Sequence, residues 1–70
     1  MYRDYIESSM INSIGYDQNT SILEIEFKSG PIWQYFDFPE SEWYNLLYSE
    51  SKGRFFLKVI KGQYQEQRVG

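Results

Sequence analysis

Arg54, Lys58 and Lys61 recur at i, i+4 and i+7, the spacing that lines cations along one face of a helix, with Lys52 just upstream. Guanidinium and ammonium groups so arranged take up phosphate charge, which points to binding of a polyanion. The same residues also fit a solvated helix face, with Lys58 and Lys61 favoured near a helix C-terminus. A second candidate is Trp33 with Tyr35, inside Ile32–Phe38, where four of seven residues are aromatic. Two apart on a strand, both rings point to one face and can stack unpaired bases. The alternative is that they pack beneath the tail or the N-terminal segment. Glu24 and Glu26 share their inferred face and would repel phosphates.

Other chemistries find less support. Glu24 with Glu26, or Glu40 with Glu42, could pair as catalytic carboxylates, but that chemistry needs a cleft and a shifted pKa. Exposed strand and helix-start acids explain them better. Lys52-Gly53 sits at a helix start, where free N–H groups gather, yet it lacks the spacing of a glycine-rich phosphate loop. There is no cysteine and no histidine, which removes disulfides, classical zinc sites and Ser-His-Asp or Cys-His catalysis. A non-enzymatic protein with no cofactor and no metal is expected.

The chain has 70 residues and a net charge of −3, room for one domain with an aromatic-dense core of seven Tyr, five Phe and two Trp. Its charge is asymmetric. Through residue 51, nine acids against Arg3 and Lys28 leave −7; from residue 52 on, five cations against Glu66 leave +4. A polyanion should therefore meet the C-terminal third. No apolar run reaches membrane-spanning length and Met1-Tyr2-Arg3-Asp4 lacks a signal peptide's hydrophobic segment, so a soluble cytoplasmic protein is expected.

These residues need elements to hold them. Met10, Ile11, Ile14 and Tyr16 mark a first strand, ended by Asp17-Gln18-Asn19-Thr20. Ile22 to Lys28 alternates, with Leu23, Ile25 and Phe27 on one face and Glu24 and Glu26 on the other. Ser29-Gly30 then leads to the aromatic strand. Pro31 lacks the N–H that a two-residue hairpin needs, so a four-residue loop is expected. That parity places Ile32, Phe36 and Phe38 in the core and Trp33, Tyr35 and Asp37 beside Glu24 and Glu26. Glu40 to Tyr48 reads as a helix with Trp43, Leu46 and Leu47 inward. Ser51 N-caps a second helix, Lys52 to Lys61, which Gly62 ends. The expected fold is α+β: a three-stranded antiparallel sheet followed by two short helices packed on one face. The domain spans residues 9–69, with 1–8 a loose lead-in and Gln63 to Gly70 a surface tail or short edge strand.

With its elements so placed, the chain resembles the KTSC domain, named for its occurrence at the C-terminus of some lysyl-tRNA synthetases and found also as small bacterial and phage proteins. The matching pieces are Ser13-Ile14-Gly15-Tyr16-Asp17, Leu23 to Phe27, the central aromatic motif, and Ser51 to Phe56 through Lys58, Ile60, Lys61, Gly62 and Tyr64. They extend from about Ser9 to Val69. The family's central Tyr-x-Tyr stands here as Trp33-Gln34-Tyr35, which keeps a large amphipathic ring but alters its hydrogen bonding. The resemblance implies the fold and, through the synthetase context, RNA binding.

Two functional expectations result. One is a small RNA-binding module using Lys52, Arg54, Lys58 and Lys61 on phosphates and Trp33 and Tyr35 on bases. The other is a protein-interaction module, a bacterial or phage accessory or inhibitor factor, docking through an acidic, aromatic sheet face.

Overall fold

Alternating side chains in Ile22–Phe27 make the central strand, and the rest of the sheet grows outward from it in chain order. The computed structural model describes residues Met1–Gly70. Its elements are β1 (Asp4–Tyr5), β2 (Ile11–Asp17), β3 (Ile22–Phe27), β4 (Ile32–Tyr35), α1 (Glu40–Leu47), α2 (Lys52–Phe55) running into a π-helical turn at Phe56–Ile60, and β5 (Glu66–Arg68). All four pairings are antiparallel and the sheet order is β1-β2-β3-β4-β5. The α+β architecture is as expected, but the sheet has five strands rather than three. The lead-in pairs as β1, with Asp4 opposite Ile14, and the tail pairs as β5, with Trp33 opposite Arg68.

The register of β3 and β4 corrects the sequence reading. Leu23 lies opposite Tyr35 and Ile25 opposite Trp33, so both rings join the core face while Ile32 and Gln34 take the outer one. The cause is loop parity. Phe27 N–H donates to Pro31 O and Gly30 N–H donates to Phe27 O, both at 2.9 Å, closing a loop of three residues with Gly30 at φ +120°. Pro31 is used as an acceptor, so its missing N–H costs nothing, and an odd loop exchanges the faces.

Ile11 and Ile14 are three apart yet both buried, which a regular strand forbids. A bulge between Ile11 and Ser13 resolves this and leaves Asn12 and Ser13 together facing Glu26. The core unites Ile14, Leu23, Ile25 and Tyr35 of the sheet with Phe38, Leu46, Phe56 and Ile60. Phe56 stands edge-on to both Phe27 and Tyr35, and Trp43 of α1 stacks on Tyr16 at 5.4 Å. The helical part thus covers the inner face. Ser51 Oγ accepts from Arg54 N–H at the start of α2, and Gly62 at φ +76° follows the end of the π-helical turn.

Residues Met1 to Arg3 lie over the outer face as a strap. Gly15 permits this, since a Cβ there would collide with the Tyr2 carbonyl oxygen and sit 3.1 Å from Arg3 Cγ. Gly15→Ala is expected to lift the strap and cost about 1–2 kcal/mol, the lost docking being offset in part by alanine's lower chain entropy. Hydrogen exchange at the Ile6 amide, which donates to Asn12 O at 3.2 Å, should accelerate while the β3 amides stay protected. Unchanged protection at Ile6 would show that the strap tolerates the methyl group.

Candidate functional site

The residues singled out in the sequence do not converge on one surface. Tyr35 is 2 % exposed and its ring packs on Phe56 at 5.8 Å. Trp33 is half-buried against the same core. Neither stands on the outer face, so the expected stacking platform there is absent, and with it the aromatic half of the proposed acidic docking face. Burial, and secondarily the charge of Glu66, raise the Tyr35 phenol far above its ordinary pKa. It stays neutral at any physiological pH.

Lys52 also has another task. Its Nζ donates to Leu47 O at 3.0 Å and to Ser49 O at 2.9 Å, closing the C-terminal carbonyls of α1 and tying that helix to the start of α2. Arg54, Lys58 and Lys61, by contrast, are exposed. The molecule's one ion pair is Arg3–Glu24, so all three are free of acidic partners. They do not form the single α-helical stripe that their spacing predicts. Arg54 lies in α2, Lys58 in the π-helical turn closed by Lys61 N–H to Phe56 O at 2.8 Å, and Lys61 just past the helix end with extended backbone. The wider turn strings the cations along one continuous segment instead.

The acids of the outer face are engaged. Glu24, 5 % exposed, pairs with Arg3 and accepts from Gln34 Nε2 at 2.8 Å. Glu26 accepts from Asn12 Nδ2 and Ser13 Oγ, both at 2.9 Å, and Ser13 Oγ in turn accepts from Arg3 Nε at 3.0 Å. Those two hydrogen bonds, with a smaller contribution from Arg3, hold the Glu26 carboxyl below its usual range against some desolvation. This network fastens the strap to the sheet, and Arg3 is the residue that sequence reasoning passed over. Its signal was a glycine in mid-strand beside two acids on one strand face.

A shallow groove of about 660 Å³ runs between the strap and the β2–β3 turn, lined by Met1, Tyr2, Asp17, Thr20 and Gln34 among others. None of its lining side chains is cationic and Asp17 is acidic, which makes it a poor phosphate site. No helix is long and apolar enough to cross a membrane. Exposed tyrosines are a further feature missed in the sequence: Tyr44 and Tyr48, in α1 and at its end, are 48 % and 81 % exposed, and Tyr2 and Tyr5 of the N-terminal segment are each 80 % exposed.

Known proteins match this arrangement closely. The KTSC domain model matches residues 7–64. An uncharacterised protein from Stutzerimonas stutzeri is 41 % identical over 64 residues, covering 91 % of this chain and 90 % of that protein. A lysine–tRNA ligase from Nostoc punctiforme is 40 % identical over 63 residues, 90 % of this chain but only 11 % of the ligase. The chain therefore spans about a tenth of that enzyme. The crystal structure of a KTSC domain protein from Yersinia pestis superposes with a TM-score of 0.93 at 43 % identity, over 99 % of this chain and 97 % of that one. Likeness in sequence and fold over nearly its whole length makes this chain a member of the KTSC domain family.

Proposed function

We propose that this KTSC domain is a small non-enzymatic RNA-binding module that meets phosphates through Arg54, Lys58 and Lys61. The observation that carries the reading is their condition: three exposed cations along one continuous segment, without acidic partners, while the strand acids Glu24 and Glu26 are occupied on the outer face. Free cations of this kind give up counterions on binding and supply most of a nucleic-acid contact's affinity. The relatives add support, since several that match at 35 % to 40 % identity are lysine–tRNA ligases, enzymes whose name couples them to tRNA. Lys52, with two of its three N–H donors committed to Leu47 O and Ser49 O, contributes charge and a single remaining donor. The reading includes a cytoplasmic setting, where RNA is present.

The test is a titration of labelled single-stranded RNA and of bulk tRNA, followed by anisotropy at several salt concentrations. Three phosphate contacts predict a slope of log K against log salt of about −2 on single strands. Lys58→Glu combined with Lys61→Glu should weaken binding about tenfold or more and flatten that slope by about one to two. Both positions are exposed, so the fold should be unaffected. No anisotropy change even at low salt would sink the reading and turn the search to protein partners.

A further inference from the structure

Helix α1 buries Leu46, with Trp43 and Leu47 half-buried beside it. Tyr44 and Tyr48, four apart, lie together on another face and are 48 % and 81 % exposed. Tyrosine is no better than average as a helix former, and a ring this exposed gives the core little in return. The fold does not explain the pair.

Their surroundings do. The Tyr48 amide donates to Tyr44 O at 3.0 Å, which fixes its backbone at the end of the helix. The carbonyls on either side of it, Leu47 O and Ser49 O, both accept from Lys52 Nζ. Tyr48 is thereby held at the junction from which α2 carries Arg54 and the π-helical turn carries Lys58. Glu40 precedes Tyr44 by four residues on the same face, so negative charge bounds the pair at the far end and positive charge at the near end. Glu50 is the exposed acid of the connection. In chain order the acid Glu40 stands before the pair and the cations Lys52 and Arg54 stand after it, beyond Glu50.

We infer that Tyr44 and Tyr48 form a stacking platform for unpaired bases beside the Arg54–Lys61 segment, so that the domain selects single-stranded over duplex RNA. This rests on the RNA-binding reading and gives it a specificity. An aromatic face takes any splayed base and gains nothing from bases already stacked in a helix, whereas phosphate contacts serve both forms.

The experiment compares single-stranded and duplex RNA of matched length on the parent protein, on Tyr44→Ala with Tyr48→Ala, and on Tyr44→Phe with Tyr48→Phe. The parent should prefer the single strand. The alanine pair should lose roughly fivefold to a hundredfold on single strands and little on duplex, with an unchanged salt slope. The phenylalanine pair, which keeps the ring faces, should bind nearly as the parent does. Parent-like single-strand binding by the alanine pair overturns the platform and leaves the cationic surface standing. An equal loss on both RNA forms also overturns it. A parent that binds neither RNA overturns the platform and the RNA reading together.

Discussion

Tyr35→Ala should remove most of the protein's stability, because removing a large buried aromatic ring costs about 3–5 kcal/mol and a domain of 70 residues has roughly 5 kcal/mol to lose. The residue is 2 % exposed, lies opposite Leu23 and Glu66 across its two strand neighbours, and meets Phe56 edge-on. Urea denaturation followed by circular dichroism measures the effect. A midpoint within error of the parent's would mean that the ring faces solvent and that the β3–β4 register is wrong. Tyr35→Phe retains the ring and isolates the hydroxyl. Because burial raises the folded-state pKa, the folded protein keeps this proton while the unfolded chain releases it near the ordinary tyrosine value of about 10. Stability should therefore be intact below that pH and fall as pH rises past it. The phenylalanine variant should show a shallower alkaline decline. Tyr64, raised by burial and by Glu42, contributes a remaining part of it.

Arg3→Met should cost about 2–3 kcal/mol, less than the loss of a fully buried ion-pair partner because the arginine side chain is 24 % exposed. The methionine would keep Glu24 covered while removing the cation that compensates it, leaving Gln34 as its remaining donor. There is a ceiling on this cost. The strap can lift and let water reach the carboxylate, so the loss cannot exceed the free energy with which the strap is docked. Gly15→Ala reports on that docking independently. Adding Glu24→Met to Arg3→Met should recover most of the stability, since an apolar pair has no charge to desolvate. A single-variant cost below about 0.5 kcal/mol would class Arg3–Glu24 with ordinary surface pairs.

Much of this fold is legible in the residues. The alternation of β3, the inward triad Trp43, Leu46 and Leu47, the Ser51 cap and the Gly62 stop each rest on contacts between near neighbours, and each stands where its pattern places it. The β3–β4 parity was harder to read. Pro31 excludes a two-residue turn but leaves loops of three and four open, and only the bond from Phe27 N–H to Pro31 O decides between them. The N-terminal segment was hidden for a different reason: the two residues of β1 show no period, and the strap before them is fastened by a charge pair reaching from Arg3 to Glu24. Lys52 reads as a phosphate ligand in sequence because nothing there tells a cation facing solvent from one facing the carbonyls of the preceding helix. Tyr44 and Tyr48 passed unnoticed since exposure is a property of the packed helix. Of the candidate cations, Arg54, Lys58 and Lys61 remain on the surface, where their charge asymmetry suggested a polyanion would meet them.

The pairing of β4 with β5 governs how the chain folds in time. Every other strand contact joins sequence neighbours across a short turn, so β1 to β4 can zip together locally and early. The β4–β5 pairing alone encloses both helices, making residues 36 to 65 one large loop whose ends must meet before its closure entropy is recovered. Until they meet, the backbone of β4 is an open edge available to other chains. Slow closure would leave the newly made protein most prone to aggregate at Ile32–Tyr35, the strand whose rings the finished domain keeps turned toward its core.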